Sequence, residues 1–307
     1  MAVTGVLRPG FIQIRVLDMD KALTHYVDRV GLDLVSREAD GRVYLKAFDE
    51  FDRHSIILRQ ADTAGIDMMA FKVASAGDLE TFQARLDKMG LKVDHISAGE
   101  QPGLGRRIGF TIPSGHRIEL YAQIAEAAKH PAIVNPHVWT ELPHGMKAIR
   151  FDHALLYGPN VAKVKEVFEK ALDFKTAEYV EAPDGGYMAI WMTCSNKAHD
   201  IAFVECPEPN KFHHVAFYLE GWQDVGAAAD IMSVYDIPID IGPTRHGITR
   251  GTTIYGYDPS GNRFETFSGG LQSYPDQAPI AWSWEELPAG LDYPQCKLHE
   301  TFLSVVT

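Results

Sequence analysis

A histidine, a tyrosine and a glutamate stand close together in the stretch Thr244 to Glu265, TRHGITRGTTIYGYDPSGNRFE. His246 lies in a Gly- and Thr-rich loop, Tyr255 in a short apolar and aromatic run, and Glu265 in Arg263-Phe264-Glu265-Thr266-Phe267, which alternates as a strand does. Between them Asp258-Pro259-Ser260-Gly261-Asn262 has the chemistry of a tight turn: proline presets φ, and glycine and asparagine tolerate φ > 0. Glu265 therefore sits on a strand, facing away from Phe264 because strand side chains alternate. A carboxylate held on a strand makes a well-ordered metal ligand or base, provided it has partners.

Those partners depend on how the chain is organised. GFIQIRVL at 10–17 alternates as a half-buried strand, Asp18 is placed as an N-cap, and Met19, Ala22, Leu23, Tyr26, Val27 and Val30 fall at helical spacing up to Gly31. Short strands are expected at 32–37, 43–48 and 55–59, completing a β-α-β-β-β unit. Residues 67–122 repeat the order, with a helix from Ala76 to Met89 and strands near Val93, Ile108 and Glu119. The second half restarts at Arg150, followed by a helix from about Val161 to Ala171. Placing Pro113-Ser114-Gly115 on Pro259-Ser260-Gly261 gives an offset of 259 − 113 = 146, and the same offset places Met69-Ala70-Phe71 on Val215-Ala216-Phe217. Two anchors agreeing on one offset indicate a duplication.

The expected fold class is α+β, with two domains, each of two β-α-β-β-β modules. Their bounds are 1–128 and 149–271, joined by a poorly periodic segment around 123–148. Residues 272–307 fit neither copy. They contain Trp282, Trp284, Leu291 and Phe302, too apolar for a solvated tail, and are expected to pack back on the second domain.

The duplication also serves as an internal control, because equivalent positions share one backbone without sharing chemistry. Glu265 corresponds to Glu119, His214 to Met68, and His153 by strand position to Phe11. Two imidazoles and one carboxylate on neighbouring strands can take one face of an octahedral metal and leave the other open, as in non-haem Fe(II) oxygenases. Phe and Met cannot hold a hard divalent ion, so the 1–128 domain is expected to be metal-free, with one site per chain. His213 could stand in for His214, although alternation places it on the other strand face. His199 and His246, on expected loops or strand ends, suit a supporting role. Mn(II) suits the same three ligands as Fe(II).

Composition narrows the partners. The chain has 307 residues, 46% hydrophobic and 23% charged, with a formal net charge of -12, which disfavours nucleic acid and anionic membranes. Three cysteines, Cys194, Cys206 and Cys296, form no CxxC pair and fit free thiols in a reducing cytoplasm. The opening residues lack the continuous apolar core of a signal peptide, and no run approaches a membrane span. A cytoplasmic protein acting on a small molecule is the expectation.

The pattern from His246 through Ile254-Tyr255, Asp258-Pro259 and Ser260-Gly261 to Glu265 resembles the signature of the extradiol ring-cleavage dioxygenases. RPGFIQIRVLDMDKALTHYV, RFDHALLYG, SNKAHDIAF and IDIGPTRHGIT are similar to the catechol 2,3-dioxygenases in particular, and the likeness runs over nearly the whole chain. The resemblance implies the vicinal oxygen chelate (glyoxalase-like) fold with the active site in the C-terminal domain. It implies Fe(II) on His153, His214 and Glu265, His199 as acid/base, and His246 and Tyr255 as hydrogen-bonding groups. Leu155, Trp191, Val204, Ile248, Leu291 and Phe302 are the expected pocket walls, with Trp191 limiting ring substituents. The implied reaction is meta cleavage of catechol or substituted catechols by dioxygen to 2-hydroxymuconate semialdehyde type products, in a homotetramer. Competing readings are a glyoxalase-type lyase, a 4-hydroxyphenylpyruvate dioxygenase sharing the ligands, and a metal-free aromatic-binding protein of this fold.

Overall fold

A computed structural model describes residues 5–128, 141–183 and 185–307. Its first half contains β1 (Val6–Val16), α1 (Met19–Leu23), β2 (Asp33–Arg37), β3 (Val43–Lys46) and β4 (Ile56–Gln60). These are followed by β5 (Gly65–Val73), α2 (Ala76–Lys88), β6 (Val93–Ile96), β7 (Arg107–Thr111) and β8 (Arg117–Tyr121). The second half repeats the order as β9 (Arg150–Gly158), α3 (Val161–Leu172), β10 (Lys175–Glu181), β11 (Tyr187–Thr193) and β12 (Ile201–Glu205). Then come β13 (Lys211–Tyr218), α4 (Trp222–Val234), β14 (Ile239–Arg245), β15 (Gly251–Tyr257) and β16 (Arg263–Gly269). The described residues thus make four β-α-β-β-β passes, the α+β arrangement expected from the sequence. Part of the expected connecting segment, 129–140, lies outside the described residues.

Each half forms one sheet. The first runs β2-β3-β4-β1-β5-β8-β7-β6, and the second β14-β15-β16-β13-β9-β12-β11-β10 with β17 (Ile280–Trp282) added at its edge. In both, the opening strands of the two modules pair antiparallel at the centre (β1 with β5, β9 with β13), and each module's last strand lies parallel to its first. The apolar alternation sends one face of both sheets into a shared helix-covered core. Phe71 of the first half meets Phe168 and Phe174 of the second in edge-to-face contacts there. The opposite faces carry separate clusters: Phe11, Tyr44, Ile57, Met68 and Tyr121 in the first half, Leu155, Trp191, Ile248, Tyr255, Leu291 and Phe302 in the second.

The halves are tied together by polar contacts as well. The Tyr26 hydroxyl donates to Asp258 Oδ2 at 3.0 Å, the Phe151 amide to Glu50 Oε1 at 2.7 Å, and His116 Nε2–H to the Lys211 carbonyl at 2.9 Å. The segment expected to be one helix from Met19 to Val30 is α-helical only to Leu23; Thr24–Val30 widens into π turns and ends at Gly31, whose φ of 94° suits glycine. Tyr26 reaches Asp258 from that wider turn, while His25 packs edge-on against Phe264 at 4.6 Å. Beyond β16 the chain returns over the second sheet as β17, α5 (Leu287–Leu291) and α6 (Glu300–Ser304), burying Leu291 and Phe302. Arg263 holds this segment by donating to the carbonyls of Val305 at 2.9 Å and Thr301 at 3.0 Å.

Candidate metal centre and active site

Local strand geometry decides which side chains reach the site. On β9, Phe151 and Ala154 enter the shared core, and on β13, Phe212 and Val215 do; each pair is three residues apart rather than two. The register explains this: Asp152 is an extra residue opposite the Ala216–Phe217 step, and His213 an extra residue opposite the Leu156–Leu155 step. Both are β-bulges, which break the two-residue alternation. Asp152 and His153 consequently emerge on one face, as do His213 and His214. The sequence expectation that His213 faces away from His214 fails here, because alternation does not carry across a bulge. Glu265, on regular β16, faces away from Phe264 as expected, Phe264 lying in the shared core.

The three expected ligands converge. Glu265 Oε2 lies 3.0 Å from His153 Nε2 and 3.3 Å from His214 Nε2, and the two Nε2 atoms are 3.4 Å apart. One ligand atom from each lies within 4.8 Å of the others, and all three residues are buried. The protonation pattern also suits a metal. His153 Nδ1–H donates to Asp152 Oδ2 at 3.0 Å, which leaves the Nε2 lone pair inward. His213 Nε2–H donates to the Phe302 carbonyl at 2.6 Å, so its Nδ1 accepts from His214 Nδ1–H at 2.7 Å and the His214 Nε2 lone pair also points inward. Thr253 Oγ1 donates to Glu265 Oε1 at 2.6 Å and leaves Oε2 to the histidines. Two neutral imidazoles and one carboxylate, each oriented by an outer partner, fit a divalent ion.

A cavity of about 120 Å³ opens beside these ligands. Leu155, Trp191, Ile248, Leu291 and Phe302 line it, together with His199, His246 and Tyr255. Val204, also expected as a wall, is only half-buried and packs against the same apolar cluster without reaching the cavity. The His199 ring lies 3.9 Å from that of His153, and its buried Nδ1 has no hydrogen-bond partner. Burial pushes its pKa well below the usual imidazole value, so the ring is neutral. His246 Nδ1–H donates to the Leu291 carbonyl, and its Nε2 therefore accepts from the Tyr255 hydroxyl at 2.8 Å.

Several residues at the site are not singled out by sequence reasoning. Asp152 carries no pattern of its own, and His213, weighed only as a substitute for His214, carries none for its contact behind that residue, because a bulge leaves no mark in the hydrophobic alternation, although each directly precedes an expected ligand. Thr253 lies two residues before Tyr255 on β15 and shares its strand face, the one signal that could have found it. Arg150, Lys197, Tyr218 and Phe267 line the cavity as well.

Comparison with known proteins agrees with this layout. Residues 66–125 match the Catechol 2,3-dioxygenase-like N-terminal domain, and residues 150–266 the Glyoxalase/Bleomycin resistance protein/Dioxygenase superfamily. A metapyrocatechase of Pseudomonas sp. strain CF600 is 47% identical over 304 residues, covering 99% of both chains. A manganese-dependent 2,3-dihydroxybiphenyl 1,2-dioxygenase of Geobacillus genomosp. 3 is 33% identical, covering 92% of this chain and 91% of its own. Among solved structures, the 2,3-dioxygenase LapB from Pseudomonas sp. KL28 superimposes with a TM-score of 0.90 at 49% identity, over 93% of this chain and 100% of that one.

Proposed function

From the premise that the chain belongs to the catechol 2,3-dioxygenase (metapyrocatechase) family of extradiol dioxygenases, we propose that His153, His214 and Glu265 hold Fe(II) and that His199, His246 and Tyr255 handle the substrate's protons and oxygens. The enzyme is an oxidoreductase that cleaves catechol-type rings beside the diol with dioxygen. The observation that carries the ligand assignment is the meeting of three ligand atoms at one point, with each histidine's Nδ1 committed elsewhere. The 1–128 domain is metal-free in this reading, and the 149–271 domain is catalytic.

A divalent ion held by His153, His214 and Glu265 would supply Lewis-acid chemistry toward a catecholate and dioxygen. The protein's own groups do the rest. A catechol must shed a proton to bind as an anion, and His199, neutral and with a bare Nδ1, is placed to accept it. The same imidazolium returns the proton when the ring opens and a product oxygen needs it. With its proton committed to His246, which the Leu291 carbonyl orders in turn, the Tyr255 oxygen is placed to accept from a substrate hydroxyl at the cavity wall. The apolar walls align a flat ring and exclude water.

The cavity's size bears on which catechol fits. The present volume of about 120 Å³ is on the scale of the about 150 Å³ that encloses a benzene. Mn(II) is the second reading for the metal, favoured by the manganese-dependent relative. The composition points to the cytoplasm, and the resemblance implies a homotetramer. Among the described residues no helix is long and apolar enough to cross a membrane.

The test is to load the metal-free protein anaerobically with Fe(II) or with Mn(II), add catechol in air, and follow the yellow ring-opened semialdehyde beside a His214→Ala variant. Product from the Fe(II) protein and none from the variant is expected. Product from the Mn(II) protein alone would reassign the metal, and activity retained by His214→Ala would remove the ligand set.

A further inference from the structure

Lys197 lies on the loop between β11 and β12 that also carries His199, and it has no part in the reaction as described above. Its ammonium faces the Asp200 carboxylate (Oδ1, 2.9 Å), the Asp152 carboxylate (Oδ1, 3.2 Å) and the Asp152 carbonyl, to which it donates at 2.7 Å. Asp200 is fully buried and anchored, its Oδ2 accepting from Thr193 Oγ1 and the Cys194 amide at 2.8 Å each and from Ser195 Oγ at 3.0 Å. Asp152 in turn takes His153 Nδ1–H on Oδ2. A continuous polar path therefore runs from the fixed floor of the loop, through Lys197 and Asp152, to a candidate ligand. Arg150 Nε adds a longer contact to Asp152 Oδ1 at 3.3 Å from a more exposed side chain.

The first half shows what happens without this path. The register puts Phe11 opposite Ala70 with Gly10 as the bulge residue, just as His153 stands opposite Ala216 with Asp152 as the bulge residue. Ile12 pairs with Ile56 as Ala154 pairs with Ile201, which sets Asp52 on the place of Lys197. Asp52 pairs there with Arg8 at 2.5 Å and Lys72 at 3.1 Å, and a Cβ on Gly10 would strike the Tyr121 ring. Where the strand position holds phenylalanine there is neither a carboxylate behind it nor a lysine to hold one.

We propose that Lys197 is a positioning residue: it clamps Asp152 so that the carboxylate fixes the ring orientation of His153 and the form with Nδ1–H outward and the Nε2 lone pair inward, and it ties the His199 loop to the same ligand. This rests on His153 being a metal ligand. A carboxylate buried without its cation would turn toward other donors, and the imidazole would lose its single orientation.

The experiment measures Mn(II) affinity of the full-length metal-free protein by the electron paramagnetic resonance signal of free Mn(II), for the parent, Lys197→Met, Asp152→Asn, the double variant, Lys197→Gln and Lys197→Arg. Asp152→Asn is expected to weaken binding about 10- to 100-fold, as loss of outer partners of metal-bound histidines does. Lys197→Met should weaken it about tenfold in the parent and by less than about twofold when Asp152→Asn is already present, because the lysine acts through the carboxylate. Lys197→Arg should restore most of the affinity. The double variant leaves only Asp200 without the lysine, its Oδ2 still held by Thr193, Cys194 and Ser195, and Lys197→Gln keeps a donor to the carboxylate, so these report if Lys197→Met does not fold; Lys197→Gln should bind severalfold more weakly than the parent. Parent-like affinity in Lys197→Gln, or an equal loss on removing Lys197 with and without Asp152→Asn, overturns the proposal. A His214→Ala control separates the two readings: if it too binds Mn(II) as the parent does, the ligand assignment has failed rather than the role of Lys197.

Discussion

The two halves share one backbone down to the bulges and differ in what a handful of side chains do there. Register equates Phe11 with His153, Met68 with His214, Glu119 with Glu265, His54 with His199 and Tyr44 with Trp191. The carboxylate is present in both, yet its surroundings are opposite. Glu119 gives both oxygens to guanidinium groups, Oε2 to Arg107 Nε at 2.7 Å and Oε1 to Arg117 Nε at 3.0 Å. Glu265 gives Oε1 to Thr253, the position of Arg107, and keeps Oε2 for the histidines. His54 still packs edge-on against Phe11 at 5.2 Å, where His199 lies against His153, but with no ligand beside it. The carboxylate and the nearby imidazole thus recur in the first half, but there Phe11 and Met68 replace the two other imidazoles and the carboxylate is committed to two guanidinium groups.

The largest expected effect comes from erasing this difference. His153→Phe or His214→Met, which copy the first half, should weaken metal binding by more than the roughly 100-fold that loss of an outer partner costs, and should abolish semialdehyde formation. Metal analysis after dialysis and the absorbance assay read the two results, and metal retained at parent occupancy would break the assignment.

His199→Gln should leave the metal bound and lower turnover by about 10²- to 10⁴-fold, the range for loss of a general acid/base. Unchanged turnover would make His199 no more functional than His54.

The third expectation concerns stability. Burial pushes the pKa values of His25, His54 and His116 down from 6.5, to about 3, about 3 and about 4 respectively. Below pH 6.5 the unfolded chain then binds protons that the folded chain refuses, so stability is complete above about 6.5 and falls as pH drops toward 4. Each such histidine contributes a slope of up to about 1.4 kcal/mol per pH unit in that window. His116→Gln, which keeps a donor for the Lys211 carbonyl, should flatten the slope in urea unfolding followed between those two values. An unaltered slope would mean that His116 charges freely in the folded protein.

The smallest effect is expected from the reverse graft. Phe11→His with Met68→His should leave the stoichiometry at one metal per chain, since Arg107 and Arg117 still occupy Glu119. A second bound ion would show that the imidazoles alone decide.

Much of this is legible in the sequence, because the signals are periodic and come twice. The four modules, the offset that aligns the halves and the strand placing Glu265 opposite Phe264 all rest on alternation over several residues. What is not legible sits where alternation breaks. The bulges at Asp152 and His213 add one residue each, and a pattern read two by two sends His213 to the wrong face and gives Asp152 no role. Val204 groups with the walls on apolarity, but the sheet stops it short of the cavity. Lys197 stands in a recognisable stretch, yet its contact with Asp152 spans the gap between two strands, which sequence spacing does not measure.

The Phe302 carbonyl that orders His213, and the Leu291 carbonyl that orders His246, belong to residues made after both sheets. Emerging from the ribosome, the first half can close its sheet early, and the strands bearing His153, His214 and Glu265 can pair soon after. Yet the two imidazoles that depend on those carbonyls stay unanchored until residue 302 has been added and folded back. The cavity walls Leu291 and Phe302 thus come to the site together with the carbonyls that order His213 and His246.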